Sequence, residues 1–144
     1  MNTIQEVFDH VAGHLIKQGR QSKIGSYEYD GCSYRGIGGT SCAVGCLIPD
    51  NEYKFEFEGM SFTEIAEHEY VPTLNKLLED ANGDADNLMS MLTELQIFHD
   101  DSRNWGCDGI NNQGLKMLYK IANDHGLLEK EYIQQDCEMN SGNR

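Results

Sequence analysis

The run Cys32-Ser33-Tyr34-Arg35-Gly36-Ile37-Gly38-Gly39-Thr40-Ser41-Cys42-Ala43-Val44-Gly45-Cys46-Leu47-Ile48-Pro49 is small, apolar and free of acid, and it holds three of the five cysteines of the chain. Cys42 to Ile48 is apolar on every side, which predicts a short helix or turn packed wholly inside the molecule. Before it, Gly38-Gly39-Thr40-Ser41 reads as a loop that ends in capping hydroxyls. After it, Pro49-Asp50-Asn51 closes the segment. The centre of the chain is therefore expected to be interior scaffolding, with activity coming from the exterior or from the loop backbone. Thiols lining an open cleft beside an imidazole would reverse that expectation.

Outward from this centre, most of the chain shows helical periodicity. Ile4, Val7, Phe8, Val11 and Leu15 form one stripe over residues 3–18, with Thr3 and Glu6 as a capping box and Gly19 as a stop. Ser61 and Glu64 open a short helix to residue 69, and Pro72 starts another that runs to Glu79 with Leu74, Leu77 and Leu78 inward. Leu88, Met91, Leu92, Leu95 and Phe98 mark the clearest helix, over residues 85–99. Asn111 or Asn112 caps a last helix carrying Leu115, Leu118, Tyr119 and Ala122, which ends at His125-Gly126 with Leu127 placed for a Schellman closure. Two β elements are expected: a hairpin over residues 23–36 turning at Asp30-Gly31, and a strand over residues 53–60, where Phe55 and Phe57 alternate with Glu56 and Glu58. Trp105 falls in a loop. The fold class is α+β: a mostly helical single domain over residues 1–128 with a small antiparallel hairpin or sheet, followed by a polar, frayed tail over residues 129–144 that includes Cys137.

The chain has 144 residues and a formal net charge of −13. Such a charge disfavours nucleic acid and anionic lipid, because both need a positive footprint. It serves solubility, or it forms an acidic face for a protein partner with a basic surface. Eleven acids lie between Asp50 and Asp86. Among them, Glu52, Glu56, Glu58, Glu64 and Glu67 are the candidate partner-binding residues. No apolar run approaches the ~18 residues of a membrane span, and the N-terminus lacks a secretory signal pattern, so the expected location is the cytoplasm.

Three constellations carry possible chemistry. Arg35 with Gly38, Gly39, Thr40 and Ser41 offers a guanidinium, hydroxyls and backbone N–H groups to a small anion such as a nucleotide; the pattern is neither a P-loop nor a dinucleotide fingerprint, and an ordinary glycine turn competes with it. Cys32, Cys42, Cys46 and Cys107 are the residues that would supply thiolates to zinc, yet their spacing is no zinc signature, and thiols filling a tight core compete; no metal or other cofactor is expected. Cys42 at a helix start is a possible nucleophile if a histidine lies in reach. His10 and His14 share a helix face but lack a third ligand. The turn Asp80, Asn82, Asp84 begins like a calcium loop and then departs from it at Ala85 and Met91. His99-Asp100-Asp101 resembles a ligand cluster but also fits a polar helix end. Hydrolase, metalloprotease and deaminase motifs are missing.

The residues Cys32-Ser33-Tyr34-Arg35-Gly36 and Cys42-Ala43-Val44-Gly45-Cys46-Leu47-Ile48-Pro49-Asp50 resemble a set of small proteins of tailed bacteriophages and prophages. The resemblance extends to the first helix, to Leu95–Asp100 and to Trp105–Gly126. It implies a viral protein at work in the host cytoplasm. It brings no established activity, so no residue role transfers. The leading expectation is a non-enzymatic protein that binds and inhibits or modulates a host protein; the second is a ligand binder at the glycine loop; the third is a zinc or thiol site at the cysteines.

Overall fold

The computed structural model describes residues 3–24, 32–81 and 83–128. Five helices carry the fold: α1 Ile4–Gln18, α2 Phe62–Glu67, α3 Pro72–Asp80, α4 Ala85–Asp100 and α5 Asn112–Asp124. A two-stranded antiparallel sheet, β1 Trp105–Gly106 and β2 Gly109–Ile110, joins α4 to α5. The protein is a mostly helical α+β domain. Asn82, the Asp30-Gly31 turn and the tail with Cys137 lie outside the described residues.

Local chemistry sets the helix ends. Thr3 Oγ1 accepts from the Glu6 amide at 3.1 Å, and Gly19 ends α1 with φ 72°. Ser61 and Glu64 form a reciprocal capping box on α2, which satisfies two orphan donors at once. Asn111 Oδ1 accepts from Gly114 N at 2.9 Å to start α5. Leu127 N donates to Ala122 O at 2.8 Å across Gly126, the Schellman closure. The start of α3 is different, because Val71 provides no side-chain cap. Instead Glu52 reaches in from a distant loop: its carboxylate accepts from Thr73 N at 2.9 Å and from Thr73 Oγ1 at 2.6 Å. A carboxylate at a helix N-terminus also meets the positive end of the helix dipole.

Helix α4 is the hub, in contact with α1, α2, α3 and α5. Leu88, Met91, Leu92, Leu95 and Phe98 are buried along it, facing Phe8, Val11 and Leu15 of α1 and Leu115 and Leu118 of α5 in one core. Truncating such a side chain to alanine removes about 2–5 kcal/mol.

The Cys42–Ile48 segment is buried as expected except at the half-buried Cys46, although it is a turn with a single 3-10 element, Gly45–Leu47. Gly45 permits this packing, since a Cβ there would lie 2.4 Å from Tyr34 O. Arg35 locks the segment in place. Its guanidinium donates to Gly45 O at 2.7 Å and Ile48 O at 2.6 Å, pairs with Asp50 at 3.0 Å, and lies 4.9 Å from the Tyr53 ring centroid.

Two β expectations need correction. Residues 53–60 form no strand; Phe55–Phe57 is a 3-10 turn, with Phe55 exposed at 75% and Phe57 buried at 2%. Tertiary contacts override the alternation. The Glu58 carboxylate accepts from Tyr34 N at 2.9 Å, Arg35 N at 3.1 Å and Tyr53 Oη at 2.7 Å, and these bonds bend the chain back onto the central stretch. Trp105 is not in a loop but opens the sheet, opposite Ile110. The described ends of the expected hairpin over residues 23–36 carry only isolated antiparallel bridges, Lys23 with Cys32 and Arg35 with Ser41.

Candidate functional site

Two concavities flank the central stretch, which contributes a wall to each. The first is a cleft of about 370 Å³ lined by Cys32, Ser33, Cys42, Glu58, Gln96 and Asp100 among others, none of them lysine or arginine. The second is an open groove of about 350 Å³, where Lys17 and Arg20 face Gly38, Gly39 and Thr40 and no carboxylate lines the wall.

The cleft is built around His99, the last buried residue of α4 and fully enclosed. Its Nε2 accepts from the Ser22 amide at 2.9 Å. A backbone N–H can only donate, so the proton of the neutral ring sits on Nδ1. Nδ1–H therefore donates to Asp100 Oδ1 at 2.8 Å. Gln96 Nε2 donates to the same oxygen at 3.0 Å, while Gln96 Oε1 accepts from Val44 N at 3.0 Å. The His99 carbonyl accepts from Gln21 Nε2 and Trp105 Nε1, and the Trp105 ring meets the imidazole edge-on at 5.8 Å. The result is a half-exposed carboxylate, Asp100, held by a fully buried imidazole. Beside it, Ser33 Oγ is buried without a hydrogen-bond partner, the one such side-chain atom among the described residues. Burying a hydroxyl unpaired is unfavourable.

The cysteines did not assemble as a thiolate set. Cys32 lies with His99 and Asp100, their ligand atoms all within 4.8 Å of one another. Two sulfurs, Cys32 and Cys42, line an open cleft with an imidazole next to Cys32, which is the arrangement that would reverse the scaffold expectation. The hydrogen bonds restrain that conclusion. Both His99 nitrogens are engaged, one by a fixed donor and one by a carboxylate. The ring thus has no lone pair to offer a metal, nor to take a thiol proton, unless the Ser22 bond breaks. Burial pushes the Cys42 thiol far up, and it pushes Cys46 up to about 12, so neither is activated as a nucleophile. Their sulfurs are used locally: Cys42 Sγ accepts from Gly45 N at 3.2 Å, and Cys46 Sγ donates to Ala43 O at 3.1 Å. Cys107 is exposed in the turn between β1 and β2.

The predicted anion residues separate in the same way. Gly38, Gly39 and Thr40 line the groove, but Arg35 is directed to the carbonyls of Gly45 and Ile48. Ser41 is tied to α1: its N–H donates to Gln18 Oε1 at 2.9 Å, and its carbonyl accepts from His14 Nε2 at 3.0 Å and Gln18 Nε2 at 3.0 Å. Burial lowers the pKa of His14; its partner here is a backbone carbonyl rather than a metal.

The five acids of the expected partner face also divide. Glu52, Glu58 and Glu64 serve the fold as acceptors for Thr73, for Tyr34 with Arg35, and for Ser61. Glu56 and Glu67 are exposed. Sequence reasoning missed Ser33, Gln96, Lys17 and Arg20, and weighed Asp100 only as part of the His99-Asp100-Asp101 cluster against a polar helix end. One signal was present: His99 lies one turn beyond Leu95, on the apolar face of α4, where a histidine must find internal partners.

Among the described residues, no helix is long and apolar enough to cross a membrane. Compared with family models, with curated proteins and with solved structures, the chain matches none.

Proposed function

We propose that this is a non-enzymatic binding protein, phage-type by its resemblance, which engages a host protein through a basic side chain seated in the Asp100 cleft and so inhibits or modulates it. The single observation behind this reading is a concave site with the carboxylates of Asp100 and Glu58 on its wall and no lining cation. A guanidinium or ammonium entering there meets an Asp100 carboxylate already oriented by His99 and Gln96, so little ordering is needed on binding. The net charge of −13 supports the same reading by steering basic surfaces toward the protein.

The test is a calorimetric titration with a short arginine-rich peptide and its citrulline counterpart, which keeps the shape and removes the charge. The arginine peptide is expected to bind, to weaken as salt rises, and to lose about tenfold in affinity with Asp100→Asn. Equal binding of the two peptides, or binding indifferent to Asp100→Asn, would sink the reading.

A further inference from the structure

The groove on the other side of the central stretch points to a second, opposite specificity: we infer that it binds a small phosphate-bearing anion between Lys17, Arg20 and the Gly38-Gly39 backbone. This site is independent of the cleft and shares no lining residue with it.

The first observation is charge segregation. The chain carries 24 acids against 11 lysines and arginines. Between His10 and Pro49, however, the only acids are Glu28 and Asp30, while Lys17, Arg20, Lys23 and Arg35 fall in the same span. The ion pairs among the described residues use Arg35, Lys76, Arg103 and Lys120 as cations. Lys17 and Arg20 are left facing the groove with no carboxylate on its wall. In so acidic a molecule, an unneutralised pair of cations in one concavity is a local reversal of the field, and it favours a compact anion.

The second observation is the shape of the loop. Gly38 and Gly39 both hold positive φ, 72° and 76°. A Cβ on Gly38 would lie 2.3 Å from Arg20 Nη2, so the glycine allows the guanidinium to lie directly on the backbone. The planar fork of an arginine on the groove wall can offer two parallel N–H groups to two phosphate oxygens. The surroundings are fixed. Gln18 ties both Ser41 and the Arg20 carbonyl, and Thr40 Oγ1, buried, donates to Ile37 O at 2.9 Å. His14, also on the groove wall and neutralised by burial, adds no repulsion toward the two cations. A long polyanion is disfavoured by the acids elsewhere on the molecule, so the ligand is a small phosphate ester or diphosphate rather than a nucleic acid strand.

The experiment titrates inorganic phosphate and then pyrophosphate into the full chain at constant ionic strength, and follows backbone amides by NMR. Saturable shifts confined to the Lys17–Arg20 and Gly38–Thr40 amides are expected, tighter for pyrophosphate. Arg20→Ala and Lys17→Ala should each weaken binding about tenfold with the melting temperature unchanged, because both side chains are exposed. Lys76→Ala, which removes a cation paired with Asp80 on α3, should leave binding intact. Shifts spread over all surface cations, or saturable binding that survives Arg20→Ala, overturn the inference. A short single-stranded oligonucleotide binding more tightly than pyrophosphate overturns it too, since the groove would then be part of a nucleic-acid surface.

Discussion

The cleft and the groove each take one wall from the central stretch, but from different residues of it, and they differ in everything that lines the rest. The cleft takes its charge from the C-terminal turn of α4, where a carboxylate is held by a buried imidazole. The groove takes its charge from Lys17 in the last turn of α1 and from Arg20, two residues beyond that helix, whose guanidinium lies against the Gly38 backbone. The cleft is rigid because its acid belongs to a hydrogen-bond network anchored in the core. The groove is anchored through Gln18, Ser41 and Thr40, while its two cations are exposed side chains. A preorganised site favours selectivity for one geometry. The same segregation of sign explains why a chain of net charge −13 can offer an anion any foothold at all.

The strongest way to break this comparison is His99→Leu. It removes the acceptor for Ser22 N and the donor to Asp100 from a fully buried position. A loss of about 3 kcal/mol is expected from the orphaned amide and the misfit together, read by urea unfolding. In the folded fraction, arginine-peptide binding should fall while phosphate binding persists. If both sites fail together, they are one site.

Arg35→Ala comes next. It leaves the carbonyls of Gly45 and Ile48 without their charged donor, at about 2 kcal/mol. Phosphate affinity of the folded protein should not change, which separates the residue that holds the loop from those that face the ligand. Gly38→Ala should cost about 1 kcal/mol through its positive φ, and it should also weaken phosphate binding by lifting the Arg20 guanidinium.

The smallest effect is a pH dependence. The pKa of His14 is lowered from 6.5 by burial, so the unfolded chain binds the proton more readily. Its contribution to stability is complete above about pH 6.5 and is lost as pH falls through the lower folded value. Denaturation midpoints should therefore drop on mild acidification, and His14→Gln should flatten that part of the curve. An unchanged slope in the variant would assign the effect to other groups.

Much of the frame could be read locally. The stripes of α1, α4 and α5, the Ser61 capping box, Pro72 at the start of α3 and the Gly126 closure all follow from residues within a few positions of one another. The errors have the opposite character. Phe55 and Phe57 alternate like a strand, but Glu58 is claimed by Tyr34 and Arg35, 24 and 23 residues away. The short sheet turns at Cys107-Asp108, with Gly106 paired to Gly109, and a Cys-Asp pair is not among the favoured two-residue hairpin turns. Arg35 was placed with the anion loop because it precedes that loop in sequence, yet its side chain points to carbonyls on the far side of it.

What the sequence determined by itself was therefore the set of helices, the burial of Cys42 to Ile48 and the overall acidity, because periodicity, capping and composition are properties of neighbouring residues. What only the tertiary structure decided was which polar groups were already spoken for. Ser22 meets His99 across 77 positions and Gln96 meets Val44 across 52. A hydrogen bond of that span follows from how helices pack, so the division of the acids, cations and thiols into those that serve the fold and those that face a ligand is written in three dimensions only.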